Sequence, residues 1–490
     1  MPPMSSRVVG GQLEAAFRRL PRWLGIALVI YALVTLFLAL HHEAWCDEAD
    51  TWLLMRDGGA RVMLSRTGYA GTPALWYLVL APLASIGLPY VAQQLVSLLL
   101  VWSAMALFVA DAPFRSPVKL LFLFSYYAVI EYSVQARPYS LLIALLFAIA
   151  SSWRHRDEHP LRIAVLTALL ANTTVHGLLI AAVVGVLVLG EAVRRGDPVD
   201  GRKTVALLIM LAGGVASVIQ LWPPPDVQQL RHYIAPDTVP YAIGYAFLPG
   251  VDPRWSFAAG LVVLLLAVLS TGNRTLPLLF VTFSIAALLV LFVYVWLAGS
   301  RHTGLILMVV LAGVWMAGPE DVGAEQWRRS ARRFFEASLA LIFVWGLYAA
   351  AQDAIAETRW AYSGSQEMAQ YVAGHVPPGT IIAAHVPIYC ESILAYLPGR
   401  SFWYPAEQRA GSFMTWDRAF QRAQAVRTET AVEMARRQLA GKRWVLLVNQ
   451  ELSAAQQHGF RLLYTNRRRV YGRPLERYWL YAPEGYFSAE

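Results

Sequence analysis

Charge is what this sequence has least of. Only 15% of its 490 residues are Asp, Glu, Lys or Arg, while 57% are hydrophobic. No soluble core needs that many apolar segments, so the composition excludes a soluble globular enzyme and specifies an integral membrane protein. Cysteine is scarce too: Cys46 and Cys390 stand alone, and without a CxxC spacing they exclude a zinc-ribbon or dithiol redox motif. There is no internal repeat of the kind that many secondary transporters carry. No A-x-A-like site follows the first apolar run, WLGIALVIYALVTLFLAL at 23–40, which is therefore expected to stay as an anchor. No RNA- or DNA-binding motif accompanies the net charge of +9, so nucleic acid is not an expected partner.

What is present is a series of apolar runs. After 23–40 they fall at 91–110, 118–131, 139–153, 161–174, 177–193, 203–222, 255–271, 276–297, 303–317 and 334–353, which predicts about eleven transmembrane helices. A further run, PALWYLVLAPLASIGL at 73–88, is interrupted by proline and only 16 residues long. It is expected to be a juxtamembrane or re-entrant helix, being barely long enough for a hydrocarbon core of about 30 Å. With the N-terminus in the cytoplasm, eighteen Lys and Arg residues then fall inside and seven (Arg56, Arg61, Arg66, Arg137, Arg231, Arg254 and Arg301) outside. That is the asymmetry of the positive-inside rule, and it accounts for the net charge through topology. The expected location is a bacterial inner membrane.

Residues 354–490 change character. PPGTIIAAHV (377–386) and KRWVLLVNQ (442–450) read as short buried strands, 416–440 as a helix, and the tail GFRLLYTNRRRVYGRPLERYWLYAP as two strands around a basic turn. The fold class is thus a polytopic α-helical membrane protein, with 1–353 spanning and 354–490 forming a small extracytoplasmic α/β domain. The first outer loop with its short helix occupies 41–90. Between the spans, WPPPD at 222–226 is the one linker-like stretch. Cys46 and Cys390 both fall outside, where a disulfide and two free thiols are both open.

The ionisable residues near the spans gather on that same outer side, and such groups next to a bilayer are functional suspects by default. The first loop, HHEAWCDEAD, supplies His41, His42, Glu43, Asp47, Glu48 and Asp50; EYSVQARPYS supplies Glu131, Arg137 and Tyr139. NTTVHG brings His176, a later loop His232, and GSRHTG Arg301 with His302. Each has a structural alternative: His41 and His42 as interface residues, Arg301 and His302 as a helix cap and snorkelling anchor, Glu131 with Arg137 as an ion pair, and His176 as a helix-packing residue. The adjacent acids Asp47 and Glu48, one short turn past a spanning helix, carry the strongest functional signal. Carboxylates beside arginines at a water–membrane boundary suit sugar transfer from a lipid phosphate: one takes a proton from the attacking hydroxyl, the other holds the leaving phosphate.

WCDEADTWLLMRD, then TPALWYLVLAPL, then QARPYSLLIALL resemble in order and spacing the GT-C glycosyltransferases of the protein O-mannosyltransferase and lipid A aminoarabinose transferase type. With RHTGLIL and YPAEQRAGSFMTWD, the pattern is also similar to a GT-C-like group of bacterial membrane proteins, a likeness that brings no chemistry with it. The GT-C resemblance implies an inverting glycosyltransferase that moves a hexosyl or pentosyl unit from a polyprenyl-phosphate donor to a lipid, glycan or protein acceptor. It implies Asp47 as general base with Glu48 beside it or facing a metal, and Arg137, Arg301 and His302 on the donor phosphate. A divalent metal stays open, with Asp47, Glu131 and His302 as its candidate ligands. This chain departs from the pattern in having no clean second acidic motif in a later outer loop. SFWYPAEQRAGSFMTW (401–416) is open between stacking on an acceptor sugar and anchoring at the membrane. The alternative readings are a polysaccharide polymerase or O-antigen ligase, a transporter, and a structural role.

Overall fold

A computed structural model describes residues 20–196, 200–227, 234–272, 274–319, 325–484 and 486. The chain divides into two compact units: Met1–Phe37, Val96–Gln220 and Leu230–Asp353 form a helical unit, and Leu38–Leu95, Leu221–Gln229 and Ala354–Glu490 form a mixed one. The first loop, grouped with the spanning region in the sequence reading, thus clusters with the C-terminal segment.

Among the described residues, eight helices are long and apolar enough to cross a membrane, and each coincides with an expected run. The runs at 118–131, 139–153 and 161–174 form shorter pieces. The first breaks into Ser116–Leu123 and a π-helical stretch Tyr127–Val134, while Tyr139–Ser152 and Pro160–Ala171 have 14 and 12 residues. At a rise of about 1.5 Å per residue, 12 residues cover about 18 Å. The proline-interrupted helix Ala74–Ser85 has the same length and is likewise shorter than a bilayer core.

Ser300–Ala317 is the centre of the helical unit. Every residue from His302 to Ala317 is buried, and the helix packs against Tyr127–Val134, Tyr139–Ser152, Thr238–Phe247, Pro253–Thr271 and Thr275–Tyr294. Gly201–Leu221 is the opposite case: Leu208, Leu211, Val215 and Ile219 are exposed apolar side chains, as a lipid-facing helix requires. Close approach at the centre depends on glycine. A Cβ on Gly304 would lie 2.3 Å from Tyr127 and 2.5 Å from the Tyr132 hydroxyl.

The mixed unit is built on a six-stranded sheet in the order β3-β2-β1-β4-β6-β5, with β1 Ile381–His385, β2 Phe402–Tyr404, β3 Arg409–Gly411, β4 Trp444–Val448, β5 Phe460–Thr465 and β6 Trp479–Pro483. β1 runs parallel to β2 and β4, and the remaining pairs are antiparallel. All five residues of WVLLV in β4 are buried, as befits an unalternating apolar run in the middle of a sheet. The helix expected over 416–440 is two, Arg418–Gln424 and Thr428–Gln438. Asp417 caps the first by accepting the Phe420 N–H at 2.9 Å.

The first loop is stitched to this sheet. Trp45 and Cys46 share a hydrophobic cluster with Met414 and Phe420. Glu476 accepts the Cys46 N–H at 3.0 Å and the Ser363 hydroxyl at 2.7 Å. Glu43 accepts the Tyr362 N–H at 2.7 Å and Arg468 at 2.8 Å. Asp226, from the WPPPD stretch, accepts the Tyr69 hydroxyl at 2.5 Å and the Arg418 N–H at 3.4 Å. Cys46 and Cys390 are both buried free thiols, which decides between the two open readings of the pair.

Two predictions follow from this packing. Gly304→Ala should destabilise the helical unit by about 1–3 kcal/mol through overpacking against Tyr127 and Tyr132, read as a lowered thermal midpoint in detergent. Burial pushes the Glu476 carboxyl up from 4.5 to about 7, against the opposing pull of its Cys46 and Ser363 donors and of Arg473. The folded state therefore holds this proton more tightly than the unfolded one. The mixed unit should lose stability as pH rises from about 4.5 to about 7, by at most on the order of 3 kcal/mol, and be unaffected by this group outside that window. Glu476→Gln should flatten that slope in melting curves taken across pH 4–8; an unchanged slope would assign it elsewhere.

Candidate functional site

Each unit carries its own group of polar residues. In the helical unit, five sequence candidates come together at the ends of three helices. His176 opens Val175–Arg195, Arg301 and His302 open Ser300–Ala317, and Tyr139 opens Tyr139–Ser152 with Arg137 just before it. The imidazoles of His176 and His302 stack at 4.9 Å with planes 13° apart. The Tyr139 ring stands edge-on to both, at 5.9 and 5.6 Å, and Phe292 and Trp296 flank the pair. Arg301 interacts electrostatically with both histidines and Arg137 with His302.

Local sequence explains the placement. Thr174 caps the helix of His176 by accepting the Gly177 N–H at 3.0 Å. Gly177 is needed there because a Cβ would lie 2.2 Å from the Thr173 hydroxyl. His302 accepts the Gly299 N–H on Nδ1 at 2.9 Å, which in the neutral ring leaves the hydrogen on Nε2 as a donor. His302 is thus both helix cap and cluster member. His176 is buried, and among the described residues neither ring nitrogen has a hydrogen-bond partner, although a buried polar group ordinarily has one.

Glu131 lies in the π-helical stretch, where its Oε1 accepts the Tyr126 hydroxyl at 2.8 Å. The same tyrosine-rich stretch supports Arg301, whose carbonyl accepts the Tyr132 hydroxyl at 2.8 Å. His232 and Arg231 lie outside the described residues.

In the mixed unit the four acids of HHEAWCDEAD separate. Glu43 is buried on Tyr362 and Arg468. Asp50 is buried on the Met414 N–H at 3.0 Å and the Trp416 indole at 3.4 Å. Glu48 is fully buried, accepts the Tyr90 hydroxyl at 2.9 Å and lies 3.3 Å from His42 Nε2. Asp47 alone of the four keeps partial exposure; it stands in the first turn of Cys46–Leu53, with the Cys46 thiol 3.7 Å from its Oδ1. Asp47 and Glu48, adjacent in sequence, are therefore unlike in setting. The expectation of Glu48 as a second catalytic or metal-facing carboxylate meets a side chain enclosed with His42 and Tyr90.

His42 is also buried, whereas His41 is exposed. On its other side His42 meets Glu357 at 2.8 Å, and Glu357 in turn takes a short hydrogen bond from Tyr471. Burial alone would lower the imidazole, but Glu357 and Glu48 hold it protonated, well above its ordinary range. Sequence reasoning missed Glu357, Tyr471 and Arg468, and also Glu391, whose carboxyl burial pushes well up beside Asp50, Glu476 and Asp47. No local pattern signals them: His42 and Glu357 are 315 positions apart. Part of the aromatic stretch 401–416 is packed into the fold. Phe402, Tyr404 and Met414 are buried, and Trp403 donates its indole N–H to Gln438 at 2.8 Å.

Among the described residues no group of three or more His, Cys, Asp or Glu side chains is placed to hold a metal ion. The candidate ligands do not form such a set: Glu131 serves Tyr126, and His302 spends Nδ1 on its helix cap.

The chain matches no family model and no curated relative. It does match solved structures. ArnT from Cupriavidus metallidurans in the apo state aligns with 94% of this chain and 97% of its own, at a TM-score of 0.56 and 13% identity. The same protein bound to undecaprenyl phosphate aligns with 94% and 98%, at 0.53 and 13%. With a helical unit rich in membrane-length spans and a small sheet-bearing unit, the chain has the GT-C fold seen in ArnT, the architecture that its motifs resemble.

Proposed function

We propose that the protein is an inverting glycosyltransferase of a bacterial inner membrane, taking a sugar from a polyprenyl-phosphate donor at the extracytoplasmic face, with its N-terminus in the cytoplasm. The observation that carries this reading is the division of the first loop's acids: three are locked inside hydrogen bonds, and Asp47 keeps access to solvent. A general base must reach the proton that it abstracts. The cluster of Arg137, Tyr139, His176, Arg301 and His302 supplies the cationic and aromatic wall that a lipid phosphate needs. The bound state of the ArnT structure, with undecaprenyl phosphate, supports the donor class.

In the proposed reaction the acceptor hydroxyl oxygen attacks the anomeric carbon from the face opposite the phosphate, and its proton passes to Asp47. The bond from the anomeric carbon to the phosphate oxygen breaks, and the released polyprenyl phosphate keeps the electron pair. Arg137 and Arg301 hold that growing negative charge, and His302 adds an Nε2–H donor. Inversion follows from the in-line geometry. Glu48 and His42 act as positioning residues, fixing the turn that carries Asp47.

Asp47→Asn should bind a polyprenyl-phosphate sugar within about twofold of wild type, while transfer falls by about 10²–10⁴. Radiolabelled transfer and donor binding on the same membrane preparation would measure both, and full activity in the variant would sink the assignment. Arg137→Gln and Arg301→Gln should each weaken donor binding by about 10- to 100-fold, the loss of one charge-assisted hydrogen bond. Binding as tight as in wild type would remove the arginines from the phosphate site and favour the transport or structural readings.

A further inference from the structure

The helices that gather the histidine cluster have other ends. Val175–Arg195 runs from His176 to Arg194 and Arg195 over 21 residues, about 30 Å at helical rise, which is one bilayer core. Ser300–Ala317 runs from Arg301 to Met316, and Tyr139–Ser152 leads into Trp153. At these far ends a polar pocket of about 420 Å³ is lined by Trp153, Arg154, Arg156, Arg194, Arg274 and Glu191, among others.

Four arginines face one carboxylate, and that carboxylate is already engaged. Glu191 takes Arg156 in a bidentate pair at 2.9 Å on each oxygen, and a short bond from Arg195. Arg195 also meets Asp157 at 3.0 Å. The Arg156 guanidinium lies 4.9 Å from the Trp153 ring centre, so it is oriented from two sides. Arg154 lies against Gly318, where a Cβ would fall 1.9 Å from its guanidinium. The pocket is therefore net positive, with Arg154 and Arg156 held in place before any anion arrives.

What adjoins the pocket names the class of anion. A neighbouring recess shares Arg156 and Glu191 with it and shares Leu207 and Met210 with a second, apolar groove. That groove, of about 540 Å³, is lined by Leu178, Ala182, Gly185, Leu211, Gly214 and Val218, among others. A free phosphate has no use for it, whereas a phosphate carrying acyl chains has.

We propose that this pocket and groove bind an anionic membrane phospholipid, with its phosphate on Arg154, Arg194 and Arg274 and its acyl chains in the groove. The site lies at the helix ends opposite the proposed donor site and is independent of that reading. Basic pockets between helices are the recurring form of such sites.

The test uses the full-length chain in nanodiscs of mixed phosphatidylglycerol and phosphatidylcholine, with retained lipid counted by native mass spectrometry. Wild type should retain phosphatidylglycerol over phosphatidylcholine by about tenfold or more, and inorganic phosphate should not displace it. Arg154→Gln with Arg194→Gln and Arg274→Gln should abolish the preference, at about fivefold per arginine. Gly185→Leu is the second variant. A Cβ there meets nothing within 4 Å, so the added side chain enters the groove without disturbing the helix, and it should weaken retention while all the arginines stay. No preference in wild type overturns the proposal. So does displacement by inorganic phosphate with Gly185→Leu silent, which would make this a free-anion site.

Discussion

His42 lies without solvent contact between Glu48 and Glu357, at 3.3 and 2.8 Å, and much of the mixed unit is arranged around that contact. Three groups that would each be costly to bury alone are tolerated together, because the protonated imidazole stands between two carboxylates, a tyrosine donates to the Glu48 oxygen that faces it, and another donates to the second oxygen of Glu357. Tyr90 closes the Glu48 side and Tyr471 the Glu357 side. Removing one partner would strand a buried charge, which typically costs about 3–5 kcal/mol. The contact joins the first loop, the C-terminal end of Gln326–Arg359 and the tail, so segments far apart in the chain are held in one place. Gln94 adds to it by donating to the carbonyls of His42 and Ala39 at 3.1 and 2.8 Å.

The helical unit solves a different problem. Its polar cluster sits at the ends of mostly apolar helices, where unpaired groups are expensive, and it is supported by backbone chemistry more than by ion pairs. His302 completes the first turn of its own helix, Thr174 caps that of His176, and the Tyr132 hydroxyl holds the Arg301 carbonyl. The glycines belong to the same design. Gly304 admits two tyrosines and Gly177 the Thr173 hydroxyl, so the side chains of the cluster are positioned by residues that have none.

The sequence makes visible whatever depends on runs and periods. Eight apolar runs are long helices because twenty apolar residues have few other choices, and β4 and β1 are buried strands because WVLLV and IIAAH leave no polar face. Where run length and local geometry part, the reading fails. The stretch 118–131 reads as one mostly apolar run, with Lys119, Ser125 and Glu131 its polar residues, yet it breaks at Phe124 and rewinds as a π-helix. The helical composition of 416–440 does not register the stop at Ala425. Least legible are the long-range pairs: nothing near His42 announces Glu357, and nothing near Glu43 announces Arg468. For that reason the clustering of the first loop with residues 354–490 could not be read from composition. The candidate residues of the helical unit were legible, since polar side chains in apolar surroundings stand out one by one. Their stacking was not.

HHEAWCDEAD presents four acids, of which sequence sets apart only the adjacent pair Asp47 and Glu48, and folding makes even that pair unequal. The helix Cys46–Leu53 turns successive residues by about 100°, so Glu48 enters the interior while its neighbour Asp47 stays at the rim. Asp50 is drawn onto the backbone of Met414, and Glu43, just before the helix, onto that of Tyr362. Each inward acid fixes one side of the turn: Glu43 toward the Arg468 strand connection, Glu48 toward His42, Asp50 toward the 401–416 hairpin. The remaining carboxylate, Asp47, stays partly exposed on that turn. Partial exposure on an anchored turn is what the proposed base requires, and it arises here because Glu43, Glu48 and Asp50 are buried in hydrogen bonds around the turn that carries Asp47.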